Sequence, residues 1–279
     1  MKSIILIVKG FFMGLTNLIP GVSGGTIAIV LGIYDKLINV ISHLFKNFKE
    51  NIKFIIPIGI GIVLSVLTMS KVISFALEKY LFITILFFVG AIAGGIPMLY
   101  NKVKGKKKDI ISYIIFTLTF MLIIGLTFLT GDNEITLTND IIGMIKILFV
   151  GIIAAGTMII PGISGSAVLM TLGYYEPILS IVKDITNFSN LGYNLSICIP
   201  FGIGVLLGVF LIAKLIEYLF KKYETKTYYG VLGFVFSSMI SILIQNIFMN
   251  NITITILDIV IGLVLFGLGF MIAYKLGDK

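Results

Sequence analysis

The sequence predicts an all-α polytopic membrane protein made of two inverted-topology repeats, each a broken re-entrant helical hairpin followed by three transmembrane helices. Three observations lead there. First, 58% of the 279 residues are hydrophobic and 12% are charged, with a mean hydropathy of +1.12. No water-soluble fold of this length hides that much apolar surface. Second, one unusual motif occurs twice: Ile19-Pro20-Gly21-Val22-Ser23-Gly24-Gly25-Thr26 returns as Ile160-Pro161-Gly162-Ile163-Ser164-Gly165-Ser166-Ala167. The echo continues from Leu31-Gly32-Ile33-Tyr34-Asp35 to Leu172-Gly173-Tyr174-Tyr175-Glu176. Third, lysines concentrate in alternate loops, as they do where charge sets membrane orientation.

The chain divides into halves, 1–139 and 140–279. In the first, a broken apolar pair, 3–18 with 23–42 (hairpin 3–42), precedes spans 54–77, 81–100 and 110–130. In the second, 141–159 with 164–182 (hairpin 141–182) precedes spans 195–219, 228–248 and 254–275. A helix crosses the hydrocarbon in about 20 residues, and the long segments reach that length. The paired members are shorter, with Pro, Gly and Ser between them, so their tips are expected to meet near mid-membrane. Two tilted spans are the alternative. Beyond the motif, residues 51–80 align without gaps on 194–223: Pro57, Gly59 and Gly61 meet Pro200, Gly202 and Gly204, Lys71 meets Lys214, and Tyr80 meets Tyr223. At the same offset Gly90 meets Gly233.

Loop charge sets the sidedness. Lys102, Lys104, Lys106, Lys107 and Lys108 mark a cytoplasmic loop. Counting outward places 43–53 and 214–226 on that side, and the loop with Asp132, Glu134 and Asp140 outside. Both termini come out cytoplasmic, and an odd number of crossings per half turns the second half upside down. Lys71 and Lys79, assigned outside, run against the rule.

Other features narrow the chemistry. The net charge of +8 comes from 21 basic and 13 acidic residues. In a membrane protein this reads as loop lysine, so no nucleic-acid partner is expected. Every basic residue is Lys, which removes the fork-shaped guanidinium ligand for phosphate. Cys198 is alone in an apolar segment and forms no disulfide framework. Lys2 and Lys9 precede an apolar run without a small-residue cleavage pattern, so the first helix reads as retained. No metal or other cofactor is expected. His43 sits at a loop edge and reads as solvated. Lys71 and Lys214 read as snorkelling to the interface.

The interrupted helices carry the functional reading. Paired broken helices in corresponding halves are the sequence pointer to a transporter's binding site. Pro20, Gly21, Pro161 and Gly162 break the helices, and irregular backbone at this depth must face protein or a water-filled cavity. Ser23 and Ser164 stand where helix N-caps belong, and helix starts attract anions. Gly24, Gly25 and Gly165 let a ligand approach the backbone, while Ser23, Thr26, Ser164 and Ser166 offer hydroxyl donors. Two such tips together suit a phosphate-sized group. Close helix packing by small residues is the competing explanation. Asp35 and Glu176 occupy matching places, either as carriers of a coupling proton or sodium ion or as plain interfacial charges.

These paired motifs resemble the PopT polyprenyl-phosphate transporter family, over nearly the whole chain. The resemblance implies a non-enzymatic translocase that returns undecaprenyl phosphate, a lipid carrier of cell-wall glycan precursors, from the outer to the inner leaflet of the bacterial cytoplasmic membrane. By position, the motif residues are Pro20 to Thr26 with Tyr34 and Asp35, and Pro161 to Ser166 with Tyr175 and Glu176. Two alternatives stay open: a secondary transporter of a small soluble anion, and a prenyl-diphosphate phosphatase, whose Pro-Gly-x-Ser-Arg-Ser signature this Arg-free chain cannot complete. Oligomeric state is not legible.

Overall fold

The structure, a computed structural model, describes residues 2–19, 22–106, 109–128, 135–163, 165–186, 190–248 and 254–277. Among these all regular structure is helical: α1 (Lys2–Asn17), α2 (Gly24–Val30), α3 (Tyr34–Ser42), α4 (Phe48–Lys79), α5 (Leu81–Val103), α6 (Ile110–Phe128), α7 (Ile141–Ile159), α8 (Gly165–Thr171), α9 (Tyr175–Thr186), α10 (Leu191–Leu243) and α11 (Ile256–Gly277). A single π turn, Ile244–Phe248, extends α10. Helices α4, α5, α6, α7, α10 and α11 are long and apolar enough to cross a membrane. The chain is a multi-pass membrane protein, and helices meet the bilayer's demand that backbone polar groups be paired within the chain.

Matching positions of the two halves use the same devices. Tyr80 ends α4 with φ −135° and ψ 44°. Tyr223 interrupts the 53-residue α10 with φ −133° and ψ 44°. The arms 191–222 and 224–243 therefore correspond to α4 and α5. They fold toward each other, since the Phe220 and Tyr228 rings meet at 4.9 Å. Helix α1 runs parallel to α4, with Gly10 level with Ile58 and Gly14 with Ile62. Helix α7 runs parallel to the first arm of α10, with Gly151 at Phe201 and Gly156 at Ile212. In each half the chain between those two parallel helices thus returns to the side from which it started.

The second limbs, 23–42 and 164–182, are expected as single helices, and the structure corrects this. Helices α2 and α3 are bent apart by 120°. The break is a Schellman stop: Gly32, at φ +68°, donates its N–H to Ile29 O at 2.8 Å, and Ile33 N donates to Ala28 O at 3.0 Å. Gly173, at φ +75°, repeats it, with bonds to Met170 O and from Tyr174 N to Leu169 O, both 2.9 Å. The Leu-Gly step in each motif is thus a helix terminator, because only glycine takes that left-handed conformation without strain.

The halves interlock. Helix α5 packs on α11, where Gly90 and Gly94 face the backbone of Phe266 and Phe270. The second arm of α10 packs on α6, where Gly233 faces Phe116 and the Thr127 and Ser241 hydroxyls bond at 2.7 Å. Each half thus lends one span to the last helix of the other. The main core runs through α1 to α5 and the second arm of α10, and α2 is buried from Gly25 to Val30.

Charge divides the molecule into two ends. At one, His43 meets Glu217 at 3.4 Å, Lys106 pairs with Glu224 at 2.6 Å, and Lys226 pairs with Asp109 at 3.4 Å. His43 is therefore not merely solvated: it shares the Glu217 carboxylate with Lys221 and Asn39. At the other end, Tyr193 Oη donates to Leu137 O at 2.6 Å, and Tyr193 lies about 36 Å along α10 from Glu217. There Asp140 caps α7, and the Thr138 hydroxyl, with the Gly143 amide, holds its carboxyl below the usual carboxylate range. Gly32 lies at the lysine-rich end, against Met98 and Gly277. Gly173 lies at the opposite end, where its carbonyl accepts from Ile135 N.

A methyl group at Gly61 would run into the backbone of Ile7 and Gly10. Gly61→Val should therefore destabilise the protein by about 3 kcal/mol, the upper range for overpacking against an unyielding neighbour. Gly59→Val, where a Cβ meets nothing within 4 Å, should be nearly silent. Thermal unfolding in detergent checks both.

Candidate functional site

Both copies of the interruption meet at one cavity of about 380 Å³. The first copy contributes Ser23, Gly24 and Gly25, and the second contributes Gly165 and Ser166. The wall is completed by Met13, Asn17, Ile19, Val22, Tyr34, Leu37, Ile38, Ile41, Met158, Ile159 and Ile163. That volume is of the order of a small-ligand pocket.

Cross-copy hydrogen bonds hold the wall. Gly162 donates its N–H to Thr26 Oγ1 at 2.7 Å. Gly162 sits at φ +84°, and a Cβ there would meet Phe234 O at 2.5 Å, so the turn depends on glycine for both conformation and space. Tyr34 Oη donates to Ile159 O at 3.1 Å. Gly25 lies so close that an added Cβ would stand 3.0 Å from Ile159 O. Thr26 is thus a buried brace behind the cavity, not one of its lining residues.

Ser23 occupies the N-cap position of α2 with extended backbone, φ −93° and ψ 128°, but its side chain makes no capping bond. The residue is 3% exposed, and its Oγ has no hydrogen-bond partner among the described residues. A buried hydroxyl without a partner is uncommon and destabilising, so this one is available to a ligand. Asn17, which sequence reasoning missed, places its amide beside Gly24: a Cβ there would stand 2.9 Å from Asn17 Oδ1. Helices α2 and α8 have only seven residues each, so the expected attraction of helix dipoles is small beside that of the hydroxyl and amide groups. The two copies also differ, because Ser166 is exposed where the first copy is packed into the core.

No charged side chain lines the cavity among the described residues. Asp35 does not reach it. Its carboxylate accepts from Tyr228 Oη at 2.8 Å and lies 3.8 Å from Lys102 Nζ at the lysine-rich end. Glu176 is exposed at the start of α9, toward the opposite end. The two carboxylates are therefore not brought together. Pro161 is buried in the second turn. Pro20, Gly21 and Ser164 lie outside the described residues. No cluster of metal-binding side chains occurs among the described residues.

Behind the second turn lies an apolar groove of about 350 Å³ between α6 and the two arms of α10. Pro161, Ile216, Leu219 and Phe234 line it, with Lys226 also in its wall. The shared cavity and the apolar groove thus have the Ile160–Ile163 turn as a partition.

A profile of the undecaprenyl phosphate translocase-like family matches residues 13–258. A polyprenyl-phosphate transporter of Staphylococcus aureus (strain NCTC 8325 / PS 47) is 33% identical over 277 residues, covering 97% of this chain and 95% of that protein. A polyprenyl-phosphate transporter of Vibrio cholerae serotype O1 is 31% identical over 233 residues, 78% of this chain and 70% of that protein. No solved structure matches. The chain belongs to the undecaprenyl phosphate translocase-like family.

Thr26→Val removes the acceptor for the Gly162 amide while keeping the shape of the side chain. It should cost about 1–3 kcal/mol, the range for stranding a buried donor, whereas Thr26→Ser should retain most of the stability. Unfolding midpoints of the two variants in detergent separate these outcomes.

Proposed function

We propose that the chain transports polyprenyl phosphate, carrying undecaprenyl phosphate from the outer to the inner leaflet of the bacterial cytoplasmic membrane so that the lipid carrier is used again. The observation that carries this reading is the cavity lined by both motif copies, with the Ser23 hydroxyl, unpartnered among the described residues, in its wall. The relatives named as polyprenyl-phosphate transporters support the substrate class.

The residues suit a phosphomonoester. Ser23 Oγ donates to a phosphate oxygen, the Asn17 amide adds a donor from α1, and Ser166 adds its hydroxyl from the second copy. Gly24, Gly25 and Gly165 leave room for the phosphate to approach the backbone. Pro161 and Gly162 shape the second turn. The prenyl tail stays in hydrocarbon, with the apolar groove behind Pro161 as its nearest protein surface.

The two halves act as inverted repeats, each broken segment a re-entrant hairpin, and access alternates between the leaflets around the shared cavity. The lysine-rich end faces the cytoplasm, as do both termini, in keeping with the bias of lysine toward that side. Inward movement of an anion works against a negative interior by about 2.3 kcal/mol per charge per 100 mV. A proton or sodium ion moving inward with the lipid offsets this, and Asp35 and Glu176, at opposite ends, are its exchange points.

In liposomes with leaflet-resolved detection, the protein should move undecaprenyl phosphate, and Ser23→Ala should weaken prenyl-phosphate binding about tenfold, the effect of one hydrogen bond to a charged group. Unchanged leaflet distribution overturns the transport reading. Inorganic phosphate competing as well as prenyl phosphate would identify a soluble-anion transporter instead. In the same vesicles, Asp35→Asn combined with Glu176→Gln should abolish the response to an imposed proton or sodium gradient. A retained response removes these carboxylates from coupling.

A further inference from the structure

Tyr34 belongs to two spaces at once. Its side chain lines the shared cavity and also a pocket of about 50 Å³ toward the lysine-rich end. It is 3% exposed, and its ring packs edge-on against Phe220 at 6.2 Å, which in turn packs against Tyr228 at 4.9 Å. Its hydroxyl is tied to Ile159 O on the far side. Tyr34 is therefore the wall between the cavity and the smaller pocket.

The far side of that wall carries the charges that the cavity lacks. Asp35, Lys102 and Tyr228 line the small pocket. Tyr228 holds Asp35 at 2.8 Å, but Lys102 Nζ stands 3.8 Å from the same oxygen, beyond hydrogen-bond length. Both members of this ion pair are about half exposed, at 44% and 52%, so it contributes little to stability. The neighbouring lysines are held more closely, Lys106 by Glu224 at 2.6 Å and Lys226 by Asp109 at 3.4 Å. Lys102 is the cation that lines the small pocket among the described residues, and it is only loosely committed to its carboxylate.

We infer that Lys102 and Tyr228 form a second subsite for a phosphomonoester at the lysine-rich end, separated from the shared cavity by the Tyr34 ring and occupied by the Asp35 carboxylate in the absence of ligand. This rests on the transport reading above. The pocket has room for about three waters, the scale of a bare phosphate head whose chain remains outside. Phosphate, with nearly two negative charges and three acceptor oxygens, displaces the Asp35 carboxylate from Lys102. Asp35 is thus the internal competitor that keeps the subsite closed when no headgroup is present. Passage between the two sites requires the Tyr34 bond to Ile159 to open.

Equilibrium binding of farnesyl phosphate to the purified full chain in detergent, with no ion gradient, tests this. Lys102→Gln should weaken binding about tenfold, and Asp35→Asn should tighten it severalfold. Asp35→Asn placed on Lys102→Gln should tighten binding less than it does in the wild type, because part of its action runs through the lysine. Inorganic phosphate should compete at millimolar concentration in the wild type and lose that competition in Lys102→Gln, whereas farnesol should not compete. Both side chains are half exposed, and unchanged unfolding midpoints will show that the variants fold. Wild-type affinity in Lys102→Gln, with Ser23→Ala still impaired, overturns the second subsite and leaves the transport reading intact. A wild-type protein that moves no undecaprenyl phosphate in liposomes overturns both.

Discussion

Gly162 donates its amide hydrogen to Thr26, and through that 2.7 Å bond the two helix interruptions hold each other in place. Inside a bilayer there is no water to complete the hydrogen bonding of broken backbone, so each turn must find partners within the protein. Here part of that supply comes from the other copy. The Tyr34 hydroxyl satisfies the Ile159 carbonyl at the end of α7, and Gly25 brings α2 against the same residue. The cavity lies beside these cross-copy contacts, which fix one turn against the other.

The rest of the molecule serves as a frame for that meeting. Helix α5 is gripped by α11 and α6 by the second arm of α10, backbone close to backbone at glycine positions. Small residues are the usual means of close helix association where lipid offers no hydrophobic driving force. Because each half contributes a span to the other's last helix, the frame is shared, and the position of one motif copy is coupled to that of the other.

The chemical character of the cavity follows from what was left out of it. Its polar wall comes from hydroxyl, amide and backbone groups, and the nearest carboxylates and lysines stand outside. In the proposed transport, neutral donors would hold an anion without the desolvation cost of burying a permanent counter-charge beside it. Asp35 and Lys102 stand instead at the lysine-rich end, where both are about half exposed.

Much of this was legible in the chain. Apolar composition determined a helical membrane protein, and the doubled Pro-Gly-x-Ser motif located the interruptions that line the cavity. The match of Tyr80 to Tyr223 anticipated a shared backbone turn, and the lysine loops anticipated one charged end. The second break at Gly32 and Gly173 also had a signal, a glycine placed as a helix terminator. What sequence could not decide was where the chain points after such a bend. A 120° turn between α2 and α3 carries Asp35 away from the cavity and leaves Tyr34 as its wall. It also brings the segment ending at His43 to Glu217, and the same tertiary packing sets Asn17 beside Gly24. Local sequence determines where a helix stops, because stopping depends on a few neighbouring dihedral angles and hydrogen bonds. Which side chains then meet across more than a hundred residues is decided by packing, and only the tertiary structure holds that information.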